Sequence, residues 1–459
     1  MPQPARRQVA ALLGVAVLLA ACGPATPTDS VVHSVQPSTA SLPSPSIGEV
    51  VAAPGSSSSI YAPNPAALVV AIDPGHGGCL DWGVPDPLER GAAFSEKAMT
   101  LAIGLELKRL LEAQGLTVVM TRQTDEALAG DDYPDLGCHG PPFRDANGDG
   151  ETGFDPEGKT RTHDELQARV DLVNLARADL LVSIHINSVT ENGVVVEIAL
   201  TETYYTDETP WGVSATQHLA QQVQDGVVGG LEPIANYERQ DRGISATNFF
   251  IVAPPLFVPT PERPDPVKQP TRGALMPAVL TEVGSITLAA EHDLLLSTEG
   301  QAAAAQGIAT ALEHYFADRP LAVRFDALIP GGEAGRVATA VEGSGPPFWA
   351  AGISPTDLSA GFPLRLTNTG TEPWPDDLRL VGGPAVSSEP YLRQKPLALF
   401  GDLLGIAIPP LAPGESVVLP VSIDVPAGER EMLWLSLARG DVSLSDLGSA
   451  PLQLAIEGQ

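Results

Sequence analysis

Residues 67–73 read ALVVAID, an unbroken apolar run that stops at Pro74 and Gly75. A strand with one wet face alternates apolar and polar residues, so a continuous run demands burial on both faces. That is the environment of a strand in a parallel sheet covered by helices. The following sequence supplies the cover. Ser95 precedes Met99, Ala102, Ile103, Leu105, Leu107, Leu110 and Leu111 at helical spacing, and Gly115 ends the pattern, which predicts a capped amphipathic helix. Leu116 to Thr121 reads as a second strand, Asp164 to Ala178 as a second helix, and Asp179 to Ile186 as a third strand. Further strands are expected at Val194 to Leu200, Asn248 to Val252 and Ala278 to Glu282, with helices around Val213 to Val228 and Glu291 to Phe316. This alternation predicts an α/β fold, a three-layer domain with a mainly parallel twisted sheet, over residues 66–318.

Residues 319–355 are rich in Gly, Pro and Ala and read as a linker, after which helical periodicity disappears. Short strand signals at Phe362 to Thr367, Leu378 to Val381, Ser416 to Ile423, Met432 to Leu437 and Leu452 to Ile456 are separated by turn residues. They predict a small all-β, sandwich-like domain over 356–459. Trp374 and Trp434 read as its core anchors rather than as ligand platforms.

The N-terminus carries Arg6 and Arg7, a short apolar run from Ala11 to Ala20, and Leu19-Ala20-Ala21-Cys22. This is an export signal over residues 1–22, too short to cross a bilayer as a mature helix. The last four residues resemble the lipobox of bacterial lipoproteins, which implies cleavage before Cys22, a lipid on its sulfur and a membrane-anchored, extracytoplasmic protein. The alternative is an ordinary secretory signal. Residues 23–65, dominated by Ser, Pro, Thr and Ala, read as a disordered tether. Apart from Cys22 the chain has Cys79 and Cys138, an even number that in an exported protein points to one disulfide, against two unpaired thiols. A formal net charge of -30 repels phosphate backbones and excludes nucleic acid as a partner.

In open parallel sheets ligands bind beyond the carboxyl ends of the strands. Four polar residues fall there or beside it. His76 follows the first strand in IDPGHGG, where Gly75, Gly77 and Gly78 allow close backbone approach. Glu96 opens the first helix, His185 ends the third strand in LVSIHINS, and Glu282 ends a later strand in PAVLTEVGS. Two imidazoles and a carboxylate make a catalytic zinc set that leaves one tetrahedral position for water. A second carboxylate can take that water's proton and return it to a leaving amine. Each residue alone has a bland reading: a strand-end His is commonly structural, and a helix-start Glu complements the dipole.

The segments DPGHGG, SEK with Glu96, LEAQGLTVVMTR, ELQARVDLVNLARADLLVSIHINS and PAVLTEVG, with the closing helix, resemble in order the third amidase family of N-acetylmuramoyl-L-alanine amidases over residues 67–316. The resemblance implies Zn2+ held by His76, Glu96 and His185, with Glu282 as the catalytic carboxylate. It implies hydrolysis of the amide between the muramic acid lactyl group and L-alanine of peptidoglycan. Ser285 departs from the family, which commonly carries an aromatic residue there.

Two insertions stand out. Asp125 to His163 contains Asp145, Asn147, Asp149 and Gly150, the first half of a Ca2+ loop whose twelfth position is Pro156 instead of Glu; a solvated acidic turn is the alternative. Ala253 to Arg272 is dense in proline and reads as a rigid loop or a lid over the zinc. Two other functions compete: a zinc peptidase or amidohydrolase acting on a cell-wall peptide or poly-glutamate, and a wall-binding scaffold lipoprotein without catalysis. A regulatory protein partner of unknown identity completes the expectations.

Overall fold

The helices and strands of the α/β part arise where the apolar periodicity places them. Its strands are β1 (Val69–Pro74), β2 (Thr117–Met120), β3 (Leu180–Asn187), β4 (Ala199–Tyr205), β5 (Arg239–Ala246) and β6 (Ala278–Ser285). Its helices are α1 (Glu96–Ala113), α2 (Arg161–Leu175), α3 (Val213–Leu231), α4 (Ala289–Leu296) and α5 (Thr298–Ala317). The computed structural model describes residues 50–51, 68–146, 152, 161–191, 194–207, 212–252, 274–327, 362–385, 406–421 and 430–457. The expected signal with Cys22, nearly all of the tether, Asn147, Asp149 and the segment from Ala253 to Arg272 lie outside the described residues.

The strands form one six-stranded sheet in the order β5-β4-β6-β3-β1-β2. Every neighbouring pair is parallel except β4 with β6. Burial on both faces is visible residue by residue in β1. Val70 and Ile72 join the core beneath α1, α3 and α5, whereas Val69 and Ala71 join the core beneath Val170 and Val173 of α2. The result is a three-layer α/β domain with a mainly parallel sheet.

Two strand expectations are corrected. Asn248 to Val252 is a turn, and the edge strand is instead the polar β5, which pairs only with β4. A half-wet edge needs no apolar run, so β5 carries none, while Ile251 and Val252 are buried by packing outside the sheet. Val194 and Val195 pair in a small hairpin with Thr190 and Glu191 and stay exposed, and the sheet strand begins only at Ala199.

The β-rich part holds β7 (Val323–Ala327), β8 (Phe362–Asn368), β9 (Leu378–Ala385), β10 (Ile406–Ala407), β11 (Ser416–Val421), β12 (Arg430–Arg439), β13 (Val442–Ser443) and β14 (Leu452–Glu457). One antiparallel sheet orders Val50–Val51, β11, β8 and β7; the other orders β10, β9, β12 and β13, with β14 also on β12. Trp374, Leu364, Leu366, Leu380 and Leu437 fill the core between them. The side chain of Trp434 lies outside the described residues.

The sandwich starts earlier than its sequence suggested. β7 falls inside the segment read as linker, because Val323 and Phe325 are needed in this core directly after α5. Val50 and Val51, inside the stretch read as tether, pair with β11. Residues 46–459 form one compact unit, so sandwich and α/β layer pack together.

Candidate metal centre

β1 delivers the chain to a glycine-rich turn at the carboxyl edge of the sheet. His76 there adopts a left-handed backbone, φ 63°, which is costly for a residue with a Cβ. Two buried guanidinium groups hold the turn. Arg122 donates from Nε to the Pro74 carbonyl at 2.9 Å and from Nη2 to the Gly75 carbonyl at 2.9 Å. Arg169 donates to the Pro74 carbonyl at 2.9 Å and to the His76 carbonyl at 2.7 Å. Arg169 is neutralised by Asp73 and Glu165, each at 2.8 Å. Gly75 must lack a side chain, since a Cβ would press on the His185 ring.

Glu96 sits in the first turn of α1 and is 2% exposed. Its Oε2 accepts from the Val84 amide at 2.8 Å and its Oε1 from the Ile186 amide at 2.9 Å. The same Oε1 lies 3.2 Å from His76 Nε2 and 3.0 Å from His185 Nδ1. His76 Nδ1 is 2.8 Å from Asp81 Oδ1, which orients the ring and leaves Nε2 facing Glu96. One nitrogen or oxygen from each of His76, Glu96 and His185 lies within 4.8 Å of the others. Tetrahedral zinc with bonds of roughly 2 Å needs ligand atoms roughly 3.3 Å apart, close to the 3.2 Å and 3.0 Å that separate Glu96 Oε1 from the two ring nitrogens. Among the described residues this is the one such group of three.

Glu282 on β6 is in register with His185 on β3. Its Oε2 is buried and has no hydrogen-bond partner. The two carboxyls diverge. Burial pushes Glu282 well above the usual carboxylate range; Glu96 and Glu202 add to this and His76 opposes it. Burial acts the same way on Glu96, but the His76 charge and hydrogen bonds from His185 and His76 outweigh it and hold Glu96 far below that range. His76 is pushed up to about 10, burial being overcome by Glu96 and Asp81. Burial and neighbouring charge thus push the two carboxyls in opposite directions, the divergence that separates a cation ligand from a group that exchanges protons.

Sequence reasoning singled out the four central residues and missed those that brace them. Asp81 follows His76 by five positions, a spacing with no recognised pattern. Arg122 and Arg169 fall inside two of the segments that carry the family resemblance, LEAQGLTVVMTR and ELQARVDLVNLARADLLVSIHINS, but the sequence assigns them no role. Glu202 faces Glu282 across the antiparallel pair, visible only once β4 and β6 are known to be adjacent.

Cys79 and Cys138 form a disulfide with Cα atoms 5.9 Å apart, tying the segment after His76 to the long insertion. Of the calcium candidates only Asp145 is described. Asp164 at the start of α2 accepts from the Ala146 amide at 2.7 Å. Nothing among the described residues supports a calcium site there.

The molecule is of a definite class: an α/β domain with a His-Glu-His cluster able to hold a metal ion at the carboxyl edge of its sheet and an acidic side chain beside it. A family model described as N-acetylmuramoyl-L-alanine amidase matches residues 70–314, more than half of the chain, and the chain belongs to that family. It is similar to the germination-specific N-acetylmuramoyl-L-alanine amidase of Bacillus subtilis, 30% identical over 26% of this chain and 39% of that protein. The match thus spans well under two thirds of that relative. It is also similar to the uncharacterized protein YqiI of Bacillus subtilis, 25% identical over 54% of this chain and 84% of that protein. A solved structure, the amidase AmiC2 of Nostoc punctiforme, is 26% identical and covers 54% of this chain and 97% of its own, with a TM-score of 0.35.

Proposed function

We propose that this chain is a zinc-dependent N-acetylmuramoyl-L-alanine amidase that hydrolyses the amide between the lactyl group of muramic acid and L-alanine in peptidoglycan. Membership of the family supports the substrate class. The observation that carries the chemistry is the buried, unpartnered oxygen of Glu282 on the strand beside His185.

His76 through Nε2, His185 and Glu96 would hold the zinc. When bound, zinc polarises a carbonyl and lowers the pKa of water to roughly 7. Glu282 accepts the proton of the attacking water and passes it to the alanine nitrogen as the amide C–N bond breaks. Asp81 keeps the His76 ring oriented, and the Val84 and Ile186 amides hold the Glu96 carboxylate in place. A lipid on Cys22 and the segment after it would hold the enzyme outside the cytoplasm within reach of the wall.

The test is digestion of purified sacculi with and without chelator, with mass spectrometry of the products. The expected products are intact stem peptides with a free alanine amine, lost with chelator and restored by zinc. Cleavage within the peptide, or release that ignores the chelator, would overturn the reading.

A further inference from the structure

The end of the sheet remote from His185 carries a second polar site, at the seam between the α/β layer and the sandwich. A cleft partly open to solvent lies between the last turn of α2, the segment entering β6 and strand β7. Its walls are mainly apolar, among them Leu275, Met276, Phe325 and Leu452, yet Arg177, Arg324 and Asp179 line it too.

Arg177 follows α2 in a left-handed conformation, φ 50°, where glycine is the usual occupant. Its Nη1 donates to the Phe325 carbonyl and to Asp326 Oδ1, fixing β7 against α2. Its Nε and Nη2 are buried and have no partner. These two groups form one edge of the guanidinium plane, the fork that matches two oxygens of a carboxylate or phosphate. A bond to the sandwich alone would explain Nη1 and leave that edge unaccounted for.

The surrounding charges are mixed, with the guanidinium groups in excess. Arg324 Nη1 donates to the Arg177 carbonyl at 3.2 Å and stands 3.8 Å from Asp179, while its Nε is 3.6 Å from Asp326. Arg319 stands 3.9 Å from Asp179. Asp179 also accepts from the Val69 amide at 2.8 Å. Three guanidinium groups thus share two carboxylates, leaving one positive charge in a chain of net charge -30. A buried charge without its counter-ion is costly, and an incoming anion removes the cost.

We propose that this cleft binds an oxyanion, a phosphate or carboxylate group seated on the Nε–Nη2 edge of Arg177 with Arg324 beside it. That chemistry is shared by a phosphate of a wall or membrane polymer and a carboxylate of a peptide, which the two probes below distinguish.

The test is calorimetric titration of the full chain with inorganic phosphate and with acetate, at ionic strength held constant with chloride. Wild type should show saturable binding of at least one probe. Arg177→Gln should weaken it at least tenfold. Phosphate-only binding identifies a phosphate source, and acetate binding a carboxylate source. Should Arg177→Gln fail to fold, Arg177→Lys decides, since it keeps the charge without the fork and should also bind at least tenfold more weakly. No saturable binding by wild type, or Arg177 variants that bind like wild type, would overturn the proposal.

Discussion

Replacing Arg169 with Met probes the bracing beneath the metal centre. The guanidinium is 1% exposed and makes ion pairs to Asp73 and Glu165 together with bonds to two carbonyls. Pro74 would keep its bond from Arg122, but the His76 carbonyl would lose this donor, and Asp73 would keep only the Thr121 and Ser183 hydroxyls. A lone hydrogen bond is worth about 1 kcal/mol, whereas stranding a buried charge costs about 3–5 kcal/mol, so the second effect sets the size. We expect a loss of about 3–5 kcal/mol. Asp73 is held at about 2: burial raises it, and Arg169, Thr121 and Ser183 more than compensate. A depressed carboxyl contributes stability that is present above its ordinary value of 3.8 and lost as pH falls toward 2. Without Arg169 burial acts unopposed by the guanidinium, so Asp73 should protonate in the folded variant at higher pH. The gap between wild type and variant should therefore narrow as pH falls through the carboxyl range. Amide hydrogen exchange in β1 and β3 reads the opening free energy of this sheet separately from the sandwich. A loss under about 1 kcal/mol, or a gap unchanged between about pH 7 and pH 4, would refute the reasoning.

Gly75→Ala should preserve the fold but press a methyl group on the His185 ring, lowering zinc affinity roughly 10- to 100-fold in a competitive metal titration. The metal-free protein should lose stability as pH rises above 4.5, because the raised Glu282 carboxyl contributes fully below that value and its contribution is lost on ionisation. Glu282→Gln should remove that slope in thermal melts across pH; parallel slopes in the two proteins would contradict the assigned burial effect.

The parts legible in the sequence share one property: a local pattern reports them. β1 announces itself by an apolar run, α1 by spacing, and His76 and His185 by standing where such strands end. What was hidden depends on neighbours distant in the chain. β5 is a strand because β4 offers it an edge, not because of its own polar residues. β7 reads as linker until its two apolar side chains find the sandwich core. Asp81, Arg122 and Arg169 serve the site by gripping a turn that must first be folded, so no local pattern states what they do.

Substitution of Glu282 by Gln separates metal binding from turnover, because it removes the proposed proton carrier and leaves the proposed ligands intact. Zinc stoichiometry and turnover on purified sacculi should be measured on the same sample. Zinc should be retained at the wild-type ratio and turnover reduced by roughly 10²- to 10⁴-fold, the usual worth of a general acid–base group. A variant that binds zinc normally and digests the wall at the wild-type rate would contradict the role proposed for Glu282.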